Sequence, residues 1–213
     1  VDLALAPDGR ILIAGIRLPQ GDFAVARYGG GHILRCASSP LLGCKAPTAV
    51  GRSQLLLDRR HDDRKLKWRW QHGDATTLAD FGDPTVTDDY AFCAYDESAG
   101  LPVLAFETLA PGAGLCVAEP CWRAKGNSQF LYGDKEEATP LGLTALTLKH
   151  WHAGRARVGV DAAGANLSSL PLPAPLPLRV QLQATTGSCW EAVFSTAGAT
   201  HPEYTEIFKG KSD

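Results

Sequence analysis

"KLKWRW", residues 65–70, sorts its side chains by turns: Leu66, Trp68 and Trp70 fall on one side of an extended chain, and Lys65, Lys67 and Arg69 on the other. A helix would spread these six residues around its axis, whereas a strand with one buried and one wet face separates them completely. Short runs of the same kind recur between Gly, Pro, Asp and Ser clusters: "QLLLD" (54–58), "YAFCAYD" (90–96), "PVLAFET" (102–108), "SQFLYG" (128–133), "LTALTLK" (143–149), "RARVGVD" (155–161), "LRVQLQA" (178–184) and "CWEAVFS" (189–195). About nine strands at such spacings predict an all-β chain, an antiparallel β-sandwich of jelly-roll-like kind, with a turn or two of helix at most. "LPLPAPLPL" (170–178) cannot donate hydrogen bonds at its prolines and is expected to be an extended edge segment or a polyproline linker.

A length of 213 residues suffices for one large all-β domain or two small ones with an unaided core. A formal net charge of -2 gives no general reason to expect nucleic acid or an anionic membrane as partner. Charge is uneven, however: Arg52 to Arg69 holds seven Lys/Arg against three Asp, and Trp70 to Trp122 holds nine Asp/Glu and no Lys or Arg. The longest apolar-looking run, Leu101 to Ala118, is broken by Glu107, Pro111 and glycines, so no membrane insertion is expected. There is no initiator Met and no leader, so an export signal is expected upstream, in a longer protein of which this is the tail.

Six cysteines form an even set with no Cys-x-x-Cys pair and no zinc-finger spacing, which favours disulfides and an oxidising compartment. Cys36 and Cys44 flank "ASSPLLG", and Cys116 and Cys121 flank "VAEP", so each pair can meet across a short Pro-containing loop. That leaves Cys93 and Cys189 for a bridge between strands. The Gly-, Pro- and Ser-rich stretch "YGGGHILRCASSPLLGCKAP" (28–47) predicts a boundary: an orphan β repeat unit at 1–30, a linker with Cys36 and Cys44 at 31–47, and the sandwich at 48–213.

"PDGRILIAG" (7–15) and "GDFAVARY" (21–28) resemble the delta-sixty repeat, a β-rich unit of exported bacterial proteins, through Pro7, Asp8, Gly9, Ala14, Gly15, Gly21, Asp22, Phe23, Ala24, Ala26, Arg27 and Tyr28. The resemblance implies a fragment of a propeller-like array, because a single unit cannot bury its own faces, and further copies are then expected before Val1. An ordinary β-hairpin packed on the downstream domain is the other expectation for these residues. Beyond Cys44, "GDPTVTDDYAFCAYD", "GLCVAEPCW", "FLYGDKEEATPLGL" and "GSCWEAVFS" resemble a Cys- and Trp-containing β domain that follows such repeats in exported bacterial proteins and has no assigned activity. This implies an extracellular or cell-envelope location more than any chemistry.

Four groups of residues bear on chemistry. Asp80, Asp83, Asp88 and Asp89 in "DFGDPTVTDDY" could supply oxygen ligands to calcium, or make turns. His150 and His152 have a zinc-gripping spacing but stand where a strand ends. No Gly-x-Ser-x-Gly and no Cys/His pair points to a nucleophile. Trp68, Trp70, Trp122 and Trp190 sit among apolar or cysteine neighbours, as core residues do, whereas Trp151 is expected to be exposed and is the candidate ligand-binding residue. The expected function is a non-catalytic exported or cell-surface β domain, structural or adhesive, with a glycan or another surface protein as partner and no cofactor besides the calcium alternative. A carbohydrate-binding module is the first rival and a secreted hydrolase the second.

Overall fold

The computed structural model describes the backbone of residues 2–5, 11–17, 22–28, 34–60, 64–116, 119–134, 142–196 and 205–213. It divides into two compact units, Val1–Ile33 and Leu34–Asp213. The first unit is a three-stranded antiparallel meander of β1 (Asp2–Leu5), β2 (Ile11–Arg17) and β3 (Asp22–Tyr28). Pro7, Asp8 and Gly9 of the repeat-like motif lie outside the described residues.

The second unit is an antiparallel sandwich. Its larger sheet contains β4 (Ser53–Asp58), β5 (Lys65–Gly73), β10 (Trp122–Lys125), β11 (Gln129–Gly133), β12 (Leu143–Lys149), β13 (Ala156–Ala163) and β16 (Ile207–Lys211), in the order β10-β11-β12-β13-β5-β4-β16. The smaller sheet, β15-β14-β6-β7, contains β6 (Tyr90–Asp96), β7 (Val103–Ala110), β14 (Leu178–Ala184) and β15 (Cys189–Phe194). A two-residue ribbon, β8 (Leu115–Cys116) with β9 (Glu119–Pro120), and one short helix, α1 (Leu78–Phe81), complete it. All nine strands expected from the sequence are present. The other four are the ribbon β8 and β9, the four-residue β10, and β16, whose inward position 210 is a glycine.

The two sheets close on each other through their large side chains. Leu66, Trp68 and Trp70 of β5 are buried, as the alternation predicts, and Trp68 meets Phe92 of the opposite sheet at 5.5 Å between ring centroids. Burying such rings contributes the largest share of the hydrophobic gain. Each buried indole N–H also finds an acceptor: Trp68 donates to Ser53 Oγ (2.8 Å), Trp70 to the Glu191 carbonyl (3.0 Å), Trp122 to the Pro111 carbonyl (2.8 Å) and Trp190 to Thr76 Oγ1 (3.2 Å). A Cβ on Gly73 would overlap the Trp70 ring, so the strand end must carry glycine for the indole to lie over it. The proline-rich stretch is no edge strand: Leu170 and Leu172 are buried in the core as the chain crosses from β13 to β14.

Within the smaller sheet β6 is buried on both faces. Ala91, Cys93, Tyr95 and Leu109 point away from the sandwich core and are covered by Leu34 and Cys36. Residues 34–47, expected as a linker, are therefore a strap on the sandwich, and the unit boundary falls between Ile33 and Leu34. Two glutamines of β14 hold the strap as a strand would. The Gln181 side chain donates to the Leu41 carbonyl (2.9 Å) and accepts from the Leu41 amide (3.0 Å). Gln183 accepts from the Ala37 amide (3.1 Å) and donates to the Tyr95 hydroxyl (2.9 Å), which itself donates to the Ala37 carbonyl (2.8 Å). Further on, Lys45 joins the free edge of β15, its N–H bonding the Cys189 carbonyl and its C=O the Glu191 amide, each at 2.8 Å. This covers an edge that would otherwise offer unpaired backbone groups.

The disulfides follow from the strap and correct the expected pairing. Cys36 joins Cys93 and Cys44 joins Cys189, while Cys116 joins Cys121 across its short ribbon. The local Cys36–Cys44 bond, and with it the expected Cys93–Cys189 bridge, fails because that segment crosses the sheet from β6 past β14 to β15, so its two cysteines meet different strands.

Candidate functional site

The acidic turns come first. Thr77 caps α1: its hydroxyl accepts from the Asp80 amide (3.1 Å), and the Asp80 carboxylate accepts from the Thr77 amide (2.6 Å). Burial acts to raise the Asp80 carboxyl, but the Thr77 hydrogen bonds and the Lys45 ammonium 3.4 Å away outweigh it and hold it below the usual range. Asp83 accepts from the Thr85 amide (3.0 Å), and Asp88 from the Asp83 amide (2.7 Å) and the Thr185 hydroxyl (2.8 Å). Asp89 accepts from the amides of Gly112 (2.6 Å) and Leu34 (3.0 Å), tying the start of the strap to the sheet. These four carboxylates thus accept hydrogen bonds from their own turns and from the segments packed beside them, and among the described residues no group of three or more His, Cys, Asp or Glu is placed to hold a metal ion.

At the far end of β12 the chain exposes Trp151, at 37 %. Its backbone pairs with Thr76, N–H to carbonyl in both directions at 3.0 Å, so the ring is presented from a fixed point. His150 and His152 flank the indole at 6.3 and 5.8 Å between centroids, and the Lys149 ammonium lies 5.5 Å from its centre. His150 Nε2 donates to the Asn127 carbonyl (2.8 Å), a hairpin-end role. Trp151, the two histidines and residues 75–78 line an open groove of about 550 Å³.

Sequence reasoning missed a third surface, the outer face of the larger sheet. Strand register aligns Arg69, Gln54 and Lys211 in one cross-strand row and Lys67, Leu56 and Lys209 in the next. Together with Thr196 they line a groove of about 610 Å³. Over β5, β4 and β16 this face holds five cations, counting Lys65, against two carboxylates, Asp58 and Asp161 of neighbouring β13. Both carboxylates are already engaged: Asp58 by Arg60 (2.7 Å), whose hydrogen bonds lower the Asp58 carboxyl, and Asp161 by Arg69 Nη2, which donates to both of its oxygens (2.7 and 2.8 Å). Among the described residues Lys67, Lys209 and Lys211 are exposed and have no carboxylate partner. The charge run 52–69 was visible in the sequence. Its union with "IFKGK" (207–211) was not, because only the pairing of β16 with β4 brings the two together.

No protein-family model matches the chain, and no curated protein or solved structure matches it.

Proposed function

We propose that the chain is a non-catalytic domain of an exported protein, structural or adhesive, working at the cell surface or outside the cell. The observation that carries this reading is the strap bound by Cys36–Cys93 and Cys44–Cys189. Such bonds persist in oxidising compartments and are lost to reductants in the cytosol, and among the described residues no cysteine is left free for catalysis or metal. A sandwich that already has an aromatic core gains from them resistance to unfolding outside the cell. Asp80, Asp88 and Asp89 are engaged as acceptors of backbone amides. On the same reading residues 1–30 are a unit of a delta-sixty array, and the protein is bacterial.

The test is location. Surface-exposed or secreted protein, trapped with alkylating reagent and carrying no reactive thiol, is the expected result; a cytosolic pool with six free thiols would contradict it.

Exposed Trp151 above its groove favours a second reading, a carbohydrate-binding module that stacks a sugar ring on the indole. Trp151→Ala would then abolish binding to a neutral polysaccharide without changing the melting temperature. Unchanged binding in that variant would dismiss this site.

A further inference from the structure

We propose that the outer face of the larger sheet, over β5, β4 and β16, is a binding surface for an acidic polysaccharide bearing carboxylate or sulfate groups. The location rests on the cation face itself, and the choice of ligand class rests on the exported, adhesive reading above.

Charge complementarity names an anion. Lys67, Lys209 and Lys211 form no ion pair among the described residues, although Asp161 stands opposite Lys67 in register, and they stand on a rigid sheet whose other face is the core, so they are presented without any ordering cost to the backbone. The same sign continues across the sheet: Arg157 and Lys149 are paired in register, as are Lys125 and Gln129, and Arg123 lies on the neighbouring row. A long anion can therefore cross several strands.

Composition and shape distinguish a sugar acid from a nucleic acid. Side chains two apart on a strand are separated by roughly 7 Å, and those two strands apart by roughly 10 Å. The cations therefore form a flat grid over which an extended polyanion can lie. The two rows that line the groove carry no aromatic ring on which unpaired bases could stack. Gln54 and Thr196 place neutral hydrogen-bonding groups between the cations, which suits hydroxyls between acid groups. A broad sheet face also offers no helix or ribbon to enter a DNA groove.

The full chain is titrated calorimetrically with polygalacturonate, dextran sulfate, neutral dextran and duplex DNA at matched charge. Binding to either acidic polysaccharide, absent for dextran and weakened by added salt, is expected. The triple variant Lys67→Gln/Lys209→Gln/Lys211→Gln should weaken that binding roughly tenfold, a modest amount per exposed ion pair. Ser38→Asp/Ser39→Asp/Ser98→Asp, with the same change in net charge on exposed positions away from this face, should leave it unchanged. Equal weakening in both variants would overturn the site, tighter binding to DNA would overturn the ligand class, and no binding to any polyanion would overturn the proposal altogether. Cell location is read separately, so an exported protein that ignores all polyanions fails here while the adhesive reading stands.

Discussion

Cys36 and Cys93 lie 57 residues apart in the chain and 5.7 Å apart at Cα, the first on the strap and the second on the outward face of β6. Their bond fastens a third layer onto a two-sheet sandwich, and Cys44–Cys189 fastens the end of that layer to the edge strand β15, across 145 residues.

The three disulfides should differ in worth by the loops they close. In the chain-entropy account, Ser pairs replacing Cys44/Cys189, Cys36/Cys93 and Cys116/Cys121 cost about 5, about 4 and about 2 kcal/mol in that order. Urea unfolding of the three double variants measures the order. A Cys116/Cys121 pair that mattered most would point to structure retained in the reduced chain.

Asp89 should matter for stability and not for calcium. Asp89→Ala leaves the amides of Leu34 and Gly112 without their acceptor and should cost about 2 kcal/mol. Millimolar calcium should move the wild-type melting temperature by no more than about one degree, since binding to the native state alone would raise it. A rise of several degrees would show that the acidic turns take up the ion.

Asp80 should contribute an acid-sensitive share of stability. Its folded carboxyl lies below the ordinary value of 3.8, so the unfolded chain takes up the proton first on acidification. The contribution is therefore complete above that value and disappears as pH falls through the lower, folded one. Asp80→Ala should cost about 1 kcal/mol at neutral pH, the usual worth of a helix cap, and should converge with wild type in strong acid. A gap that stayed constant with pH would mean that the loss is one of packing.

The β character of the chain is local and was legible. Leu66, Trp68 and Trp70 are buried where their alternation put them, and Trp151 is exposed while the other four tryptophans are buried. What could not be read is what covers each sheet. "YAFCAYD" carries no polar alternate position before Asp96, the signature of a strand buried on both faces, but nothing in the run says that residues 34–47 do the covering. Gln181 and Gln183 look like a wet face and are buried, because their amides substitute for a strand's backbone partners. The local disulfide pairing expected for Cys36 and Cys44 failed for the same reason: spacing measures how near two cysteines can come, not which surface the loop between them lies on.

A peptide map without reduction, made on protein alkylated as it is recovered from the cells that produce it, tests the strapped, exported domain most directly. Linked peptides joining Cys36 to Cys93, Cys44 to Cys189 and Cys116 to Cys121 are the predicted result. A Cys36–Cys44 peptide, or alkylated cysteines in place of linked ones, would contradict it.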